Sequence, residues 1–336
     1  MPHRLRRPAE WEPHTACFVA WPSHAEEWSG DLSGARLAWT ALARAITDGG
    51  RGEGLHVLVL DANGESQARA ALGEVSATFH HIPFGDIWLR DTGPIFVHAP
   101  GGQAAVQFRH TGWGGKYVLA GDDQVAAAVC RLTEVPLSQL AVAGEGGAID
   151  TDGDGTALTT RSCLLSAARN PGASTADIEA VLAEALGIDR VVWLNDGLAR
   201  DHTDGHVDTI ARFVAPGVIA CMEPAADDPN REVLAEILAT LKEARDARGQ
   251  RLEIATVPSP GAVTDAAGEL LPASYVNFYI ANTTVCVPTY GVSADDRAID
   301  AIARFFPDRR IVAIDARAIL AGGGAFHCIT QEQPSP

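Results

Sequence analysis

The segment YVNFYIANTTVCVPTYGVSADDRAIDAIARFFPDRRIVAI, residues 275–314, contains one copy of a pattern that recurs along the chain. Its apolar runs Tyr275–Ile280 and Thr284–Val287 predict two strands joined by a turn. The amphipathic stretch Ala294–Phe306 predicts a helix, and Ile311–Ile314 predicts a third strand. The unit therefore has the order strand–strand–helix–strand.

Three earlier segments repeat this order of elements. The predicted helices begin at about residues 122, 174, 230 and 294, a spacing of roughly 50–65 residues that is typical of propellers and arrays. The elements predicted in these three copies are strands Ile95–Val97 and Gln103–Phe108, helix Asp122–Leu132 and strand Gln139–Val142; strands Ala148–Asp150 and Ala157–Thr160, helix Ser174–Leu186 and strand Val191–Leu194; and strands Val207–Val214 and Val218–Met222, helix Asn230–Ala247 and strand Leu252–Val257.

The N-terminal part of the chain supplies a fifth copy, and five copies close naturally into a ring. The strand expected at Ile329–Thr330, directly after Cys328, would complete the first sheet. We therefore predict an α/β fold, a five-bladed pseudo-symmetric α/β propeller of repeated ββαβ units. It is expected to form one domain over residues 1–336, because no long linker rich in Pro, Gly and Ser interrupts it. The N-terminal elements are predicted at Thr15–Trp21, Gly34–Asp48, Leu55–Leu60, Ser66–Leu72 and Thr78–Ile82.

The composition limits the classes of partner. The chain of 336 residues has 46% hydrophobic residues, enough for a sizeable core, and a net charge of −17 from 43 acidic and 26 basic residues. This balance, without a basic run, argues against binding to nucleic acid or to an anionic membrane and suits a small cationic ligand. The sequence leaves the oligomeric state open, a homo-oligomer included.

The six cysteines are scattered and contain no C-x-x-C pair. The N-terminus is polar and carries prolines, so no signal peptide is expected, and no apolar run is long enough to cross a bilayer. We therefore expect reduced thiols and a cytoplasmic protein.

Glycines closely precede one of these cysteines. In the stretch GGGAFHCIT, residues 322–330, three glycines lower the steric barrier to unusual backbone angles and let other segments approach. The thiol of Cys328 follows at a loop-to-strand junction, where it can meet a substrate. The alternative is a buried structural cysteine behind a flexible tail.

Three further ionisable residues fall at the same phase of the repeat as Cys328. Asp91 precedes Glu145 by 54 residues, and Glu145 precedes His206 by 61. His206 precedes Cys328 by 122, which is twice 61. An acid, a second acid, a base and a thiol thus stand at the entrances of the units, each near glycine. In a ring, the same position of each unit faces the central cavity, so we expect these side chains to meet there.

Each of these residues also has a purely structural interpretation. Asp91 could cap the turn before a Gly-Pro pair, and Glu145 could be a surface carboxylate beside a glycine bend. His206 and Asp208 are two apart, so on the predicted strand both side chains project to one face. A lone histidine on a strand is usually structural, but a histidine hydrogen-bonded to an acid can act as general base and acid.

Two patterns suggest metal ions, and each departs from what the ion requires. Residues 150–155, DTDGDG, match the start of a calcium loop, but Arg161 stands where a bidentate glutamate is needed, so a hairpin turn is predicted. His202 and His206 have the spacing of metal ligands on a helix, yet the residues between them form turns. The glycines at 322–324 lack the lysine and the preceding strand of a phosphate loop. We therefore predict neither a metal nor a cofactor.

The ordered motifs of the chain resemble the agmatine deiminases, a family of the guanidine-modifying superfamily called penteins. The similarity runs nearly from end to end. The motifs that carry it are PAEWEPH (8–14), WP (21–22), DIWLRDTGP (86–94), WGGKY (113–117), EGG (145–147), RNP (169–171), DGHVD (204–208), ASYVNFYIAN (273–282) and GGGAFHCITQ (322–331).

The resemblance implies a function and a role for each candidate residue. Agmatine deiminases hydrolyse the guanidinium of agmatine to N-carbamoylputrescine and ammonia through a covalent thio-amidine intermediate on cysteine, without a metal or a cofactor. The resemblance also implies the five-bladed propeller. The implied site residues are Cys328 as nucleophile, His206 as acid and base, Glu145 as support for the histidine, Asp91 and Asp208 as holders of the guanidinium, and Trp88 and Trp113 at the border of the pocket.

Three other functions are compatible with the sequence. The nearest is a deiminase of peptidyl-arginine or of another alkylguanidine that uses the same residues. A metal-dependent amidohydrolase would use His202, His206 and Asp208. A catalytically inactive guanidine-binding protein would use the carboxylates alone. Chelator resistance would separate the deiminase from the metal enzyme, and ammonia release would separate both from a binder.

The loop before Cys328 bears on the choice between agmatine and free arginine. Relatives that use free arginine place an arginine in this loop, whereas GGGAFH contains none and His327 is expected to be neutral. An unmatched α-carboxylate beside three acidic side chains would be unfavourable. We therefore predict a preference for agmatine, unless Arg109, Arg169 or Arg200 turns in to meet the carboxylate.

Overall fold

Strands and helices alternate along the chain in the computed structural model, which describes residues 5–28 and 30–336. The strands are β1 (His14–Ala20), β2 (Gly54–Val59), β3 (Thr78–His81), β4 (Ile95–Ala99), β5 (Gly102–Arg109), β6 (Leu137–Ala143), β7 (Asp150–Thr151), β8 (Thr156–Thr160), β9 (Arg190–Leu194), β10 (Ala211–Ala215), β11 (Val218–Glu223), β12 (Glu253–Pro258), β13 (Val263–Thr264), β14 (Leu270–Leu271), β15 (Tyr279–Ile280), β16 (Thr284–Thr289), β17 (Arg310–Asp315) and β18 (Gln331–Pro334).

Helices connect many of these strands. The α-helices are α1 (Leu32–Thr47), α2 (Ala62–Leu72), α3 (Leu89–Thr92), α4 (Gly112–Gly115), α5 (Val125–Thr133), α6 (Arg161–Leu164), α7 (Thr175–Leu186), α8 (Arg231–Glu243), α9 (Asp295–Ala303) and α10 (Arg317–Leu320). Short 3-10 turns occur at Ala25–Trp28, Asp48–Gly50, Asp122–Gln124, Gly146–Ala148 and Val207–Thr209.

Four of the sheets share one strand order. They are β4-β5-β6, β7-β8-β9, β10-β11-β12 and β15-β16-β17. In each, the first two strands are antiparallel, and the second and third are parallel. A parallel pair requires a crossover connection, and helices α5, α7, α8 and α9 provide it in turn. The predicted strand–strand–helix–strand units are therefore confirmed.

The N-terminal sheet has four strands in the order β18-β1-β2-β3. Strand β18 pairs antiparallel with β1, so that Gln331 lies opposite Phe18. Strands β1, β2 and β3 run parallel, with α1 and α2 as their crossovers. The strand that follows Cys328 therefore completes the first sheet, as predicted.

Helix α1 shows how the sequence specifies a crossover helix. The side chain of Asp31 accepts a hydrogen bond from the backbone N–H of Gly34 and caps the first turn. Trp39, Leu42 and Ile46 recur at spacings of three and four residues and are fully buried. Their face contacts both β2 and β16, so α1 joins the N-terminal sheet to the last one.

Four predicted strands differ from the structure, and in one of them, Ala148–Asp150, only Asp150 lies in a strand. Ile329–Thr330 belong to a turn, and β18 begins at Gln331. The sequence predicts one strand over Val207–Val214, but its first residues form a 3-10 turn and β10 begins at Ala211. Of Tyr275–Ile280, only the last two residues pair in a sheet. These segments are apolar because they are buried, and an apolar run reports burial whether or not the backbone pairs.

The acidic segment DTDGDG forms the hairpin turn between β7 and β8, as predicted. The carboxylate of Asp152 accepts hydrogen bonds from the backbone N–H groups of Asp154 and Thr156. Its oxygens therefore stabilise the turn itself.

All six cysteines carry free thiols and are buried. In the part of the chain that the structure describes, no helix combines the length and the apolar character needed to cross a membrane.

Candidate active site

Cys328 lies in a turn shortly before β18 and lines a cavity of about 170 Å³. Asn277 holds this residue: its Nδ2 donates to Sγ at 3.2 Å, and its Oδ1 accepts from the backbone N–H of Cys328 at 3.4 Å. A Cβ at Gly324 would lie 3.1 Å from Sγ, so the glycine leaves room for the thiol. Cys328 thus faces a cavity, which is what a thiol that meets a substrate requires.

His206 and Glu145 form a fully buried pair. Nε2 of His206 lies 3.1 Å from Oε2 of Glu145, whereas Nδ1 has no hydrogen-bond partner among the described residues. Nδ1 lies 3.6 Å from Oδ1 of Asp91. Burial opposes a charged ring, but Asp91, Cys163 and Glu145 outweigh it and raise the pKa of His206 well above its usual value. His206 can therefore hold a proton on the nitrogen that faces Asp91.

His206 and Asp208 reach the site without lying on a strand. Because Val207–Thr209 form a 3-10 turn, the prediction that strand geometry brings both side chains to one face is wrong. The backbone N–H of His206 donates to Oγ1 of Thr203 at 3.0 Å. The hydroxyl of Thr209 donates to the carbonyl of His206 at 2.8 Å. These local bonds, rather than a sheet ladder, hold the backbone of His206.

Asp91 lies on the short helix α3 and is fixed by two donors. Its Oδ1 accepts from the backbone N–H of Gly147 at 3.0 Å, and its Oδ2 accepts from Nε1 of Trp113 at 2.8 Å. The first bond joins the entrance of one unit to the entrance of the next. Burial raises the pKa of Asp91, although the neighbouring His206 opposes the shift. Asp91 therefore serves a long-range contact and not a local turn.

Asp208 is fully buried, and only one of its oxygens has a partner among the residues that the structure describes. Oδ2 lies 2.6 Å from Nδ1 of His327 and 3.6 Å from Sγ of Cys328. Oδ1 has no hydrogen-bond partner in the described part of the chain. Burial opposes ionisation, but His327, His206 and Arg212 outweigh it and lower the pKa of Asp208. The site thus contains an ionised carboxylate with one oxygen free to accept a hydrogen bond.

These groups converge above Gly147. A Cβ placed there would lie 2.6 Å from Nδ1 of His206, 2.9 Å from Oδ1 of Asp91 and 3.1 Å from Oδ2 of Asp208. No side chain fits in that space. The glycine at the entrance of this unit therefore lets a base and two carboxylates surround the same point.

The surroundings of Cys328 keep it protonated. Burial first, and then the charges of Asp208 and Asp91, raise the pKa of the Cys328 thiol well above its usual value. A cationic ligand between the two carboxylates would offset their charge and favour the thiolate.

Trp88 and Trp113 line the same cavity as Cys328. Nε1 of Trp88 donates to Oδ2 of Asp86 at 2.6 Å, and burial raises the pKa of Asp86 to about 7. Trp113 has a φ of 52°, an uncommon backbone conformation for a bulky residue that is often found at functional sites. Aromatic rings and acidic groups together suit a cation with an apolar stem. Other lining residues are Glu26, Glu27, Tyr117 and His202.

The sequence assigned no role to Asn277 or His327 and did not predict the structural contacts of Arg169. All three residues lie in the motifs that carry the resemblance. Arg169 is 1% exposed and donates to Oε2 of Glu145 at 2.9 Å and to Oδ2 of Asp204 at 2.7 Å. The suggestion that it could turn in to meet a substrate carboxylate is therefore wrong. Membership in a motif was the only sequence signal, because the partners of these residues are distant along the chain.

Within the described residues, one group of possible ligands for a metal ion has its donor atoms within 4.8 Å of one another: Glu145, Cys163 and His206. This group differs from the one considered from the sequence, which includes His202 and Asp208. The guanidinium of Arg169 lies 2.9 Å from Glu145 and would repel a cation there. The geometry therefore does not favour the metal-dependent amidohydrolase.

A protein family matches the chain over nearly its whole length. Residues 6–334 match the model of the family described as Porphyromonas-type peptidyl-arginine deiminase. The chain belongs to this deiminase family. Its mixed α/β fold is similar to that of solved agmatine deiminases.

Relatives of this deiminase include proteins named for agmatine. A protein of Legionella pneumophila (strain Paris) is 40% identical over 332 residues, which cover 97% of this chain and 94% of that protein. The agmatine deiminase of Stutzerimonas stutzeri (strain A1501) is 37% identical over 354 residues, with 98% and 95% covered. The solved structure of the agmatine deiminase of Enterococcus faecalis has a TM-score of 0.92 at 32% identity, with 98% and 96% covered.

Proposed function

We propose that this deiminase acts on agmatine, whose guanidinium it hydrolyses to give N-carbamoylputrescine and ammonia. One observation carries the proposal: Nδ1 of His206 and the carboxylates of Asp91 and Asp208 surround one point beside the thiol of Cys328. The family and its named relatives agree with a hydrolase that acts on the C–N bonds of guanidines.

Two carboxylates hold the guanidinium. This cation is planar, and its N–H donors form a fork that matches carboxylate oxygens. Oδ1 of Asp208 has no other partner among the described residues, so a substrate N–H can satisfy it. Asp91, whose Oδ1 lies 3.6 Å from Nδ1 of His206, is the second carboxylate. The central carbon then lies near Cys328, whose Sγ is 3.6 Å from Oδ2 of Asp208.

Cys328 and His206 carry out the covalent steps. When the substrate cation offsets the carboxylates, the thiol of Cys328 passes its proton to solvent water, and the thiolate attacks the guanidinium carbon. Nδ1 of His206 gives its proton to the departing nitrogen, ammonia leaves, and a covalent thio-amidine intermediate remains on Cys328. His206, now neutral, takes a proton from a water molecule as that water attacks the intermediate. The C–S bond breaks, and the ureido product leaves.

Glu145 determines which nitrogen of His206 transfers the proton. Its Oε2 is engaged with Nε2 of His206, and Arg169 holds the carboxylate in place. A histidine whose one nitrogen is fixed in this way presents the other nitrogen to the substrate. Glu145 also stabilises the positive charge that His206 carries before ammonia leaves.

The cavity favours a small linear cation over a peptide. Its volume of about 170 Å³ is below the ~300–1,000 Å³ typical of sites for drug-sized ligands. Its wall includes Glu26, Glu27 and Asp86, which suit the terminal ammonium of agmatine and disfavour the α-carboxylate of free arginine. Deimination of peptidyl-arginine is the second candidate, because the description of the family names it.

We further propose that the five larger sheets close into a five-bladed propeller that forms one domain. Hydrogen bonds between neighbouring units, each a sheet with its connecting segments, support closure, because they link one unit to the next in a cycle. The links are the ring of His98 with the carbonyl of Ser335, Gly147 with Asp91, Arg212 with Asp150, Arg212 with the carbonyl of Phe278, and His14 with Asn282.

The free cysteines suit a reducing compartment, and we place the enzyme in the cytoplasm.

Ammonia release from agmatine, free arginine and an arginine-containing peptide tests the proposal. We expect kcat/KM for agmatine to exceed that for free arginine by at least ~10²-fold, about 2.7 kcal/mol at the transition state. Butylguanidine, which has the carbon chain of agmatine without its ammonium, is the control for the acidic wall. Activity should persist in the presence of a chelator.

Two results would contradict this assignment. Comparable kcat/KM values for agmatine and free arginine would remove the preference on which it depends. Faster turnover of the peptide than of agmatine would favour the second candidate, with the deiminase chemistry unchanged.

A further inference from the structure

His327 lies directly before Cys328 and takes no part in the steps described above. Its ring is 2% exposed and lies between two carboxylates: Nδ1 is 2.6 Å from Oδ2 of Asp208, and Nε2 is 2.7 Å from Oε2 of Glu10. A neutral imidazole carries a single N–H, so two such bonds to ionised carboxylates require a proton on each nitrogen. The expectation of a neutral His327 does not fit this geometry.

Glu10 anchors the far side of the ring. Its Oε2 also lies 3.0 Å from Nη2 of Arg212 and 3.3 Å from Nη2 of Arg90, and both guanidinium groups are fully buried. Burial opposes ionisation of Glu10, but Arg212, His327 and Arg90 outweigh it and lower its pKa well below the usual value. Glu10 is therefore a fixed, charged support, and His327 cannot move without breaking buried ion pairs.

Asp208 is the group that this support orients. With Oδ2 bonded to His327, Oδ1 is the oxygen that lacks a partner in the described part of the chain and is left for the substrate. A carboxylate released from His327 could rotate and meet the guanidinium at another angle. Hydrogen bonds weaken steeply with misalignment, so the substrate would be held less tightly.

We propose that His327 is a positioning residue: its Nδ1 orients Asp208 for the substrate guanidinium, and its bond to Glu10 fixes the ring. The inference rests on the proposed deiminase function. It assigns to His327 a role in substrate affinity, so loss of this role would raise KM.

Two substitutions separate the two bonds of His327. In His327→Asn the amide nitrogen takes the place of Nδ1, so the donor to Asp208 is kept and the donor to Glu10 is lost. In His327→Gln the amide nitrogen takes the place of Nε2, so the donor to Glu10 is kept and the donor to Asp208 is lost. Both variants carry a neutral amide at the same buried position, and each is therefore the control for the other.

We expect KM for agmatine to be at least ~10-fold higher in H327Q than in H327N, because only H327Q loses the charge-assisted bond to Asp208. A purely structural role would lower the melting temperature of both variants and leave their KM values alike. Equal KM values, or a higher value in H327N, would overturn the inference while the wild type is active. A wild type that releases no ammonia from any guanidine would instead contradict the proposed function.

A spectroscopic test does not depend on the folding of these variants. In Cys328→Ala protein labelled with ¹⁵N-histidine, agmatine can bind without turnover. The N–H at Nδ1 of His327 should be hydrogen-bonded, and its chemical shift should move when agmatine binds to Asp208. A signal that does not respond to saturating agmatine would also overturn the inference.

Discussion

Cys328, the proposed nucleophile, is surrounded by groups that oppose its ionisation. Burial and the carboxylates of Asp208 and Asp91 raise the pKa of this thiol, whereas reactive cysteines commonly lie beside cations or helix N-termini. A cationic substrate supplies the missing positive charge. In the proposed mechanism, activation of the thiol therefore depends on occupation of the site, and we expect an empty site to be less prone to oxidation.

Alkylation of Cys328 by iodoacetamide should be slower at pH 7 than alkylation of a cysteine in a short peptide, because only the thiolate reacts. We expect the rate to rise with pH and to reach no plateau below about pH 9. Mass spectrometry of timed samples measures it, and Cys328→Ala reports any labelling of the other buried cysteines. A plateau near neutral pH would mean that the thiolate exists without substrate.

His206→Asn should slow turnover of agmatine by ~10²–10⁴-fold, because the departing nitrogen and the attacking water both lose their proton partner. Single-turnover measurements of ammonia release and of product formation separate the two steps. The control is His81→Asn, because that ring is half exposed and lies against Glu65 away from the cavity. Near-normal turnover in His206→Asn would exclude this histidine from the mechanism.

The side chains of the candidate site lie on short segments that precede strands. Asp91 lies on α3 before β4, and Glu145 lies directly before the 3-10 turn Gly146–Ala148. His206 lies directly before the 3-10 turn Val207–Thr209 that precedes β10, and Cys328 lies in a turn before β18. The sheets provide a rigid frame, and irregular segments between their strands can aim side chains in directions that a strand does not allow.

Gly147→Ala should remove most of the activity and leave the fold intact. The added methyl group would lie 2.6 Å from Nδ1 of His206 and 2.9 Å from Oδ1 of Asp91, so the catalytic groups must move. A misplacement of about 1 Å can reduce the rate ~10²-fold, and we expect at least that loss in kcat/KM. Circular dichroism should show unchanged secondary structure.

Gly64→Ala is the matched control for this substitution. Its added methyl group would meet no atom nearer than 3.6 Å, and alanine is the better helix former within α2. We expect wild-type activity in this variant. Activity retained in Gly147→Ala as well would mean that the base and the carboxylates do not converge there.

Contacts between the first and the last sheet matter at the scale of the whole molecule. Asp48, at the end of α1, accepts a hydrogen bond from Nη2 of Arg310 at the start of β17 at 2.6 Å. It also accepts one from the hydroxyl of Thr283 at 3.0 Å. Hydrogen bonds from Arg310 and then Arg51 lower the pKa of Asp48 to about 2. This carboxylate therefore links distant parts of the chain while it is ionised.

Asp48→Asn should lower the free energy of unfolding at pH 7 by about 1 kcal/mol. This loss is smaller than the pKa shift of Asp48 alone implies, because solvent screens the exposed arginines. Because the folded pKa lies below the unfolded value of about 4, the stabilisation is present above that pH and is lost as the pH falls towards 2. Asparagine tolerates the left-handed backbone at this position, where φ is 41°. Urea unfolding at pH 7 and pH 3 should therefore show a smaller difference at pH 3, and an equal difference would contradict this account.

Local patterns in the sequence determined the elements of this protein and their order. Apolar periodicity depends only on neighbours along the chain, and it predicted the crossover helices α5, α7, α8 and α9 together with the strands that flank them. Spacing between the units identified Asp91, Glu145, His206 and Cys328 as residues that could meet. The same patterns overstated the strands at Val207–Val214 and elsewhere, because burial without pairing leaves the same apolar signal.

Only the tertiary structure decided which atoms of these residues meet. His327 and Glu10 are 317 residues apart in sequence, yet their side chains lie 2.7 Å apart. A 3-10 turn, and not the expected strand, directs His206 towards its partners. Hydrogen bonds and pKa shifts depend on distances and angles between atoms that separate sheets bring together. No local pattern specifies those distances, so the protonation of Cys328 and the orientation of Asp208 are properties of the folded chain alone.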